Sequence, residues 1–399
     1  MRIVIANSGQ EKVIRAGVDF IHHSSEQVFQ FSGGPGTGKS FTLNEIIRRA
    51  GIDRRKVLPM AYTGAAAIVM RCKGLLNATT IHSGLYAPVK GYLRDDQGNI
   101  VMNNYIDRPI SDIEFVPKDT NEYDLFVFDE GSMIPMAMKQ EIERRGKKII
   151  VCGDLNQLPP VNDEPAYLTN GKVYMLTEIM RQAANSAIPY IADRALRGLP
   201  IHKGLYGDVL VIDEEELTDQ MLLGADDIIC GKNATREKLN NHIRHDLFKF
   251  GTDLPLFGEK VICRRNNRAI EVANINLANG LSGRVFNAPD ISGMTKNTFT
   301  MSFKPDRLEA VFPNLICDYE YFTAPFDKKA MLKNNKYNQA EKFEFSYAKT
   351  THLAQGSQAH HGIYIQEYLS KEINNQLNYT GVTRFETGLI YVLPKRRYY

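Results

Sequence analysis

The sequence predicts an α/β protein built on parallel β-sheets, and three observations lead to that fold class. An apolar run at 28–31 ends in a glycine-rich loop and is followed by a helical pattern at 41–49, which is the opening unit of a parallel sheet. Similar short apolar runs, bounded by Gly, Asp or Pro, alternate with helix-like segments at 57–61, 125–128 and 148–151. A second region of the same kind follows, with a strand expected at 226–230 and a helix at 235–245.

Length and composition set broad limits on the class of protein. With 399 residues, 43% of them hydrophobic and 24% charged, the chain can bury more than one core, and two or three domains are expected. The net charge of +3 permits a nucleic-acid partner without requiring one, because such binding needs a local basic track rather than a basic total. The five cysteines are scattered, so neither a disulfide framework nor a zinc site is predicted. No signal peptide or membrane-length apolar stretch is visible, and we expect a soluble, cytoplasmic protein without a membrane partner.

The glycine-rich loop predicts a nucleotide site. Its residues from Gly33 to Ser40 match G-x-x-x-x-G-K-[ST] between a strand and a helix, as that pattern requires. The loop residues expected to hold the phosphates of ATP are Gly34, Pro35, Gly36, Thr37, Gly38, Lys39 and Ser40. Lys39 is expected to reach the β- and γ-phosphate oxygens and Ser40 to ligate Mg²⁺. The alternative is a glycine turn that only begins a helix.

Two further polar segments follow predicted strands at the same sheet edge. Asp129 and Glu130 come directly after the buried pattern at 125–128, and ligands of such sheets bind at the carboxyl ends of the strands. Asp129 is suited to hold the magnesium water shell, and Glu130 to orient and deprotonate the attacking water. The alternative is an acidic strand end in solvent. Gln157 lies in a polar loop after the run at 149–151, where its amide could contact phosphate or the attacking water.

Taken in order, these and further segments resemble superfamily 1 helicases, most closely the RecD and Dda type that includes small phage helicases. The resemblance covers nearly the whole chain. The segments that carry it are Gln10, the glycine loop, 61–67 (AYTGAAA), 79–82 (TTIH), 129–130, 153–161, 176–182, 233–240, 349–358 and 379–384.

The resemblance implies two RecA-like P-loop domains in tandem, with a β-hairpin insertion in the first and a small SH3-like β insertion in the second. On this basis the first domain covers 1–168, with the hairpin at about 88–121. The second domain covers 169–276 and 343–399, and the β insertion covers 277–342. Within the insertion, strands are expected at 298–303, 308–312 and 319–323.

The resemblance also assigns residues around the nucleotide. Gln10 looks like the glutamine that contacts adenine, and Gly356 and Gln358 fall in the family's segment between nucleotide and strand, although many relatives carry Glu where Gln358 stands. Arg181 and Arg384 look like the two arginines that the second domain offers to the γ-phosphate. A cation aimed across the cleft meets the developing charge only when the domains close, which couples closure to hydrolysis.

In this family a single strand lies across both domains and is held through its phosphates. The positions that match such contacts are Thr63, Thr80, His82, Thr351 and His352. The segment 92–102, two short strands around a turn at 95–99, resembles the family's strand-separating wedge, and Tyr92 at its base is a candidate for stacking on nucleic acid. The alternatives are a satisfied loop histidine at His82 and an ordinary exposed hairpin. The basic run at 328–342 either extends the track or is a solvated loop.

The resulting hypothesis is an ATP-dependent, Mg²⁺-requiring helicase that moves 5′ to 3′ along single-stranded DNA and unwinds forked duplex DNA. Polarity and the preference for DNA come from the resemblance alone. The resemblance further suggests replication, recombination or repair, a monomer of phage type in a bacterial cytoplasm, and contacts with single-strand-binding or replication proteins. Three alternatives stay open: a P-loop kinase, a nucleotide-switched clamp that grips strands without moving, and a viral RNA helicase.

Overall fold

Three β-sheets of five or six strands organise the chain. The structure is a computed structural model that describes residues 5–103, 108–160, 163–180, 186–287, 289–290, 297–333, 339–370 and 373–395. No helix in these ranges is long and apolar enough to cross a membrane.

The first part of the chain alternates strands with helices. Its helices are α1 (Ser8–His23), α2 (Lys39–Arg49), α3 (Gly64–Cys72), α4 (Ile81–Leu85) and α5 (Met136–Glu143), with 3₁₀ turns at Arg54–Lys56 and Gly131–Met133. Its strands are β1 (Val28–Gly33), β2 (Val57–Ala61), β3 (Thr79–Thr80), β4 (Tyr86–Tyr92), β5 (Met102–Asn103), β6 (Arg108–Pro109), β7 (Ser111–Pro117), β8 (Leu125–Phe128), β9 (Lys148–Gly153) and β10 (Val173–Leu176).

Six of these strands form a parallel sheet in the order β10-β1-β9-β8-β2-β3. Every residue of β2 and β8 is buried, because helices or loops cover both faces of a parallel sheet and leave no polar side. The carboxyl ends of β1, β8 and β9 therefore meet at one edge, where the glycine loop and the two acidic residues lie. The boundary predicted at residue 168 falls too early, since β10 pairs with β1 from Val173 onward.

The second part of the chain contributes the remaining elements. Its helices are α6 (Ile188–Leu196), α7 (Asp219–Gly224), α8 (Asn233–Asn241), α9 (Tyr319–Thr323), α10 (Phe326–Lys333), α11 (Thr351–Ala354) and α12 (Asn374–Val382), with a 3₁₀ turn at Glu214–Glu216 and a π-helical turn at His242–Leu247. Its strands are β11 (Gly204–Tyr206), β12 (Val209–Asp213), β13 (Asp227–Cys230), β14 (Lys260–Cys263), β15 (Asn267–Val272), β16 (Ile275–Leu277), β17 (Ser282–Val285), β18 (Thr298–Pro305), β19 (Phe312–Asp318), β20 (Phe343–Phe345), β21 (Ala348–Thr350), β22 (Ala359–Ile365) and β23 (Phe385–Leu393).

The second sheet has the order β11-β12-β23-β22-β13-β21, in which only the β11–β12 pair is antiparallel. Helices α6 and α12 pack together on one face and bury a cluster around Tyr364 and Tyr391. Helix α8 lies over the opposite face, where Ile228 and Ile363 are buried. This is a second α/β layer of the same design as the first.

The inserted sheet is antiparallel, in the order β19-β18-β17-β14-β20, and it is wider than the predicted insertion at 277–342. Strands β14 and β20 lie outside those limits, yet Val261 of β14 pairs with both Gly283 and Phe345. In sequence, the short apolar runs of β14 and β20 look the same as the strands of the second sheet. Only their long-range pairing shows that they belong to the inserted sheet.

Two strands predicted in this insertion are wrong. The segment 308–312 is mostly non-strand, and the strand begins at Phe312 instead. The aromatic segment 319–323 forms α9, because the Asp318 side chain accepts a hydrogen bond from the Tyr321 N–H and caps a helix. Of the basic run at 328–342, residues 334–338 lie outside the described part of the chain. Its last residue, Lys342, is buried and lies 3.4 Å from Asp318 Oδ2, so it is not part of a solvated loop.

A two-stranded antiparallel arm, formed by β4 and β7, is inserted into the first domain between β3 and β8. Strands β4 and β7 pair along their whole length, and the chain beyond them turns at 95–99, where Arg94 bridges Ile100. The turn lies where the sequence predicted it, and the paired arm, from Tyr86 to Pro117, falls close to the hairpin insertion predicted at about 88–121. It extends well beyond the two short strands predicted within 92–102. Residues 104–107 are outside the described part of the chain.

The β15–β16 hairpin connects the inserted sheet to the first domain. Its turn residues, Ala273 and Asn274, both have positive φ, and their carbonyls accept hydrogen bonds from the Arg71 guanidinium. Thr79 Oγ1 also donates to Asn274 O at 3.1 Å. Ile275, Leu277 and Leu281 continue the apolar core of the first domain into the inserted sheet. The insertion thus belongs to the second domain in sequence and packs on the first in space.

Candidate functional site

A cavity of about 600 Å³ lies in the cleft between the two parallel-sheet domains. Most of the predicted nucleotide-site residues meet there. Its lining includes Gly34, Pro35, Gly36, Gly38, Lys39, Ser40, Asp129, Glu130, Gln157, Gln358 and Arg384. The first nine of these residues lie at the carboxyl edge of the first sheet, whereas Arg384 follows α12, so the cavity is made by both domains.

The glycine loop is held in a shape that only glycine allows at two positions. Gly38 has a φ of 81° at the N-cap of α2, and a side chain there would collide with the Gln10 amide. A Cβ on Gly33 would lie 2.9 Å from Leu176 O. Lys39 folds back over the loop, where its Nζ donates to Gly33 O at 2.7 Å and to Gly34 O at 3.2 Å. The ammonium group is thereby placed at the mouth of the loop.

Gln10 supports the loop from behind rather than lining the cavity. It is fully buried at the start of α1, where it forms a reciprocal capping box with Asn7. Its Nε2 donates to Thr37 O at 3.0 Å, and Thr37 Oγ1 in turn donates to Gly34 O at 2.9 Å. Neither Gln10 nor Thr37 lines the cavity, so the adenine contact assigned to Gln10 stays a prediction.

The two acidic residues occupy distinct environments. Asp129 is buried, and its Oδ1 accepts from the Glu130 N–H at 2.8 Å and from the Cys152 thiol at 3.3 Å. Burial and the Asp129 carboxylate raise the pKa of the Cys152 thiol, which therefore stays protonated and acts as the donor. Glu130 has a left-handed backbone with φ of 52°, which turns its side chain into the cleft.

Two residues that line the cavity carry a buried acceptor with no hydrogen-bond partner among the described residues, Glu130 Oε2 and Gln157 Oε1. Arg384 reaches Glu130 from the second domain, with 3.5 Å between Nη1 and Oε1. Its Nε donates to Thr380 O at 3.2 Å, which fixes the guanidinium at the end of α12. Arg181, the second predicted arginine, lies outside the described residues.

Hydrogen bonds across the interface join the Gln157 loop to the second domain on both sides of Gln157. Tyr379 Oη donates to Asp154 Oδ2 at 2.5 Å, and the Leu158 N–H donates to Thr380 Oγ1 at 2.9 Å. Gln355 Nε2 donates to Leu158 O at 3.0 Å. These partners were not predicted individually, although Gln355, Tyr379 and Thr380 lie inside segments that carry the family resemblance. Nothing in the sequence pointed to Cys152.

Gly356 is not part of the cleft. With a φ of 78°, it packs against α3, where an added Cβ would lie 2.6 Å from Thr63 Oγ1. Gly356 is not among the residues that line the cavity, and its expected nucleotide contact stays a prediction. Gln358 does line the cavity, and its Oε1 has no hydrogen-bond partner among the described residues.

The residues predicted to contact nucleic acid use most of their polar groups internally. The Thr63 and Thr80 hydroxyls cap α3 and α4, and the fully buried Thr351 Oγ1 donates to Cys230 O at 3.3 Å. The three hydroxyls are therefore already engaged within the protein.

The two histidines are half-buried, and neither is a fixed cation. Burial, with a contribution from Arg268, lowers the pKa of His82 to about 4, and burial also lowers the pKa of His352. Tyr92 is the last residue of β4, and more than half of its surface is exposed. Any contact these side chains make with a strand stays a prediction.

A tandem pair of RecA-like P-loop domains is the class of protein that this fold and cleft define. Residues 19–163 match the family model described as an AAA domain. Among curated relatives, the ATP-dependent DNA helicase PIF1 of Trypanosoma brucei brucei is 27% identical over 172 residues, which is 40% of this chain and 15% of that protein. The ATP-dependent RecD2 DNA helicase of Deinococcus radiodurans is 29% identical over 173 residues, which is 42% of this chain and 21% of that protein. The chain thus spans only about a fifth or less of the length of these relatives.

Solved structures of other proteins align with this chain over nearly its whole length. Pif1 helicases studied for DNA unwinding at forked duplex DNA align with a TM-score of 0.53 and 18% identity, covering 97% of this chain and 92% of that one. Bacteroides Pif1 bound to single-stranded DNA aligns with a TM-score of 0.52, 16% identity and the same coverage. These likenesses confirm the predicted fold of two RecA-like domains. The predicted resemblance to helicases of the RecD and Dda type agrees with the curated relatives, which are 27% and 29% identical over about two fifths of the chain. The phage type stays a prediction.

Proposed function

We propose that this chain is an ATP-dependent helicase that moves 5′ to 3′ along single-stranded DNA and unwinds duplex DNA. The observation that carries the proposal is the meeting of Arg384 with Glu130 in a cleft that also contains the glycine loop. A cation supplied by the second domain completes the site only when the two domains are together. The curated relatives are named as ATP-dependent DNA helicases, which supports the same activity here.

The cleft fits a nucleoside triphosphate and a magnesium ion. Its volume of about 600 Å³ suits a nucleotide, and the glycine loop presents backbone donors at the start of α2. The Ser40 hydroxyl and the Asp129 carboxylate are the hard oxygen ligands that Mg²⁺ prefers. When bound, the ion supplies neutralisation of the charge that develops on the phosphate oxygens.

Each polar group in the cleft then has a role in hydrolysis. Lys39 leaves its loop carbonyls to bind the terminal phosphates, and Glu130 orients the attacking water and accepts its proton through the free Oε2. Gln157 contacts the γ-phosphate or the water through its free amide oxygen. Arg384 stabilises charge on the transferred group from the opposite wall. We propose the same role for Arg181.

We propose a path for the strand along the starts of three helices. Helices α3 and α4 follow Thr63 and Thr80, and α11 contains Thr351 and His352. Their backbone N–H groups would bind phosphates of a single strand without reading its sequence. The arm between β4 and β7 would then separate the duplex, with Tyr92 stacking on exposed bases. We further propose a monomer in the cytoplasm that takes forked DNA as substrate.

Steady-state ATP hydrolysis with and without single-stranded DNA tests this function, on the wild type and on Lys39→Ala. The expected result is strong stimulation by the strand that Lys39→Ala loses, together with unwinding of duplexes that carry a 5′ tail and not a 3′ tail. Hydrolysis that ignores the strand would contradict the proposal and favour another P-loop enzyme. Stimulation without unwinding or translocation would instead support the nucleotide-switched clamp, and stimulation only by RNA would support an RNA helicase.

A further inference from the structure

Two carbonyl groups of the glycine loop are held from behind, on the side away from the cleft. Gly36 O accepts a hydrogen bond from the Met180 N–H at 2.8 Å, and Thr37 O accepts one from Gln10 Nε2 at 3.0 Å. Neither Gln10 nor Met180 lines the cleft cavity, whereas Gly36 and Gly38 do. The cleft thus lies on one side of the loop and the two donors lie on the other.

These two hydrogen bonds also fix the direction of the N–H groups that follow in the chain. In a trans peptide the carbonyl of one residue and the N–H of the next point in opposite directions, and the described residues contain no cis peptide bond. Since the two carbonyls point away from the cleft, the N–H groups of Thr37 and Gly38 point toward it. Backbone N–H groups in such a loop are the donors that bind phosphate oxygens.

The polar atoms of the Gln10 side chain are all engaged within the protein. Besides its bond to Thr37 O, Nε2 lies 2.9 Å from Met180 Sδ, and Oε1 accepts from the Asn7 N–H at 3.1 Å. The side chain is fully buried, and its amide packs so closely on Gly38 that a Cβ there would collide with it. To bind a base, the amide would first have to break buried hydrogen bonds, which is costly.

We propose that Gln10 is a positioning residue of the glycine loop, which acts on the phosphates of the nucleotide through Thr37 and not on the base. This role rests on the nucleotide site of the proposed function, and it replaces the adenine contact that the family resemblance predicts for Gln10. The amide holds Thr37 O, and with it the Gly38 N–H, in the binding orientation before the nucleotide arrives. Donors that are preorganised in this way raise affinity, because they need no rearrangement on binding. The effect therefore extends to every ligand that carries the triphosphate, whatever its base.

The variant Gln10→Glu separates the two roles. It keeps the shape of the side chain and an acceptor for the Asn7 N–H, but a carboxylate cannot donate to Thr37 O. Gln10→Leu, which removes the donor without adding charge, is a second variant. The matched control is Gln30→Glu, because Gln30 is also buried and uses both ends of its amide on the backbone, with Nε2 2.9 Å from Asn170 O.

The measurement compares ligands that differ in the base. Binding of ATP, GTP and inorganic tripolyphosphate, each with Mg²⁺, is followed by calorimetry on the full chain, and kcat and KM are determined for ATP and GTP without DNA. Tripolyphosphate carries the phosphates without a base or a ribose. We expect both Gln10 variants to weaken all three ligands by a similar factor, about tenfold, and to raise KM with little change in kcat. Gln30→Glu should leave the three affinities unchanged.

The outcomes that overturn the proposal are distinct from failure of the proposed function. A loss confined to ATP, with GTP and tripolyphosphate bound as by the wild type, would show that Gln10 reads the base. Unchanged affinity for all three ligands, or an equal loss in Gln30→Glu, would also overturn the role. Thermal unfolding identifies which Gln10 variant is folded, and the comparison is made on that variant. Binding of all three ligands by a wild type whose hydrolysis ignores single-stranded DNA would count against the helicase and leave the role of Gln10 intact.

Discussion

At the scale of single residues, the environment of Asp129 bears on the magnesium role that we propose for it. Its Oδ1 accepts hydrogen bonds from the Glu130 N–H and from the Cys152 thiol. Partners of this kind commonly change metal affinity by about 10- to 100-fold when removed. In the proposed site Cys152 is thus a positioning residue, because it would act through Asp129 and not on the nucleotide.

We therefore predict that Cys152→Ala raises the Mg²⁺ concentration needed for half-maximal ATP hydrolysis by about tenfold or more. Cys152→Ser, which keeps a donor, should restore most of the affinity. The measurement is ATP hydrolysis over a Mg²⁺ titration at saturating ATP. Cys263→Ala, at a buried cysteine of the inserted sheet, is the matched control. Equal Mg²⁺ curves for Cys152→Ala and wild type would contradict the role.

His82 gives a prediction about pH. Its pKa is about 4 in the folded chain and about 6.5 in an unfolded one, so the unfolded state binds more protons between these values. The free energy of unfolding therefore rises with pH in this window, and the contribution of His82 is lost as pH falls through about 4. Urea unfolding across this window should show a smaller pH slope for His82→Gln than for wild type.

At the scale of elements, the loop at 154–158 connects the nucleotide cleft to the second domain. Gln157 faces the cleft, while its neighbours Asp154 and Leu158 are hydrogen-bonded to α12 and to the end of α11. In the proposed function, a small displacement of Gln157 would be passed to the helix that ends near Arg384 and to the segment that begins at Thr351. The loop would then link the proposed phosphate contact to the proposed strand contacts.

Removing one of these hydrogen bonds should weaken the coupling between the nucleotide cleft and the proposed strand-binding surface. Tyr379→Phe deletes the hydrogen bond to Asp154, and bonds to charged groups contribute about 1.5–3 kcal/mol. We expect stimulation of ATP hydrolysis by single-stranded DNA to fall about tenfold, with little change in the rate without DNA. The matched control is Tyr391→Phe, whose buried hydroxyl has no partner among the described residues. An equal fall in both rates would indicate a general structural defect instead.

The elements also show where prediction from sequence succeeds and where it fails. The strands β2 and β8 were predicted to the residue because strands buried on both faces are continuous apolar runs. The glycine loop and Asp129 were predicted because their chemistry is local in sequence. Helix α9 was missed, since its aromatic residues favour a strand and the Asp318 cap decides otherwise. Cys152 was missed because a buried thiol gives no signal until its neighbour is placed.

At the scale of the whole molecule, the inserted sheet is bound to both domains. Its chain ends lead into the second domain, Arg307 pairs with Glu386 there at 3.1 Å, and the β15–β16 hairpin is held on the first domain by Arg71. The assignment of this sheet to one domain by sequence alone is therefore incomplete. Long-range contacts decide its place, and no local pattern encodes them.

We predict that Arg71→Leu loosens this attachment without damaging the cleft. Backbone amides at 267–277 should exchange hydrogen faster, and unwinding should fall while DNA-stimulated ATP hydrolysis changes little. Hydrogen exchange by mass spectrometry and a fork-unwinding assay provide the two measurements. Arg55→Leu, at an exposed arginine paired with Asp53, is the control and should behave as wild type. Unchanged exchange at 267–277 in Arg71→Leu would show that the hairpin is held by its apolar contacts alone.

In the described part of the chain the two halves meet both at the cleft and through the inserted sheet. Two such attachments favour rotation of the halves over their straight separation. In the helicase that we propose, opening of the cleft would therefore pivot on the β15–β16 hairpin. Lengthening this hairpin, rather than altering the cleft, is the change that we expect to alter the length of a step along the strand.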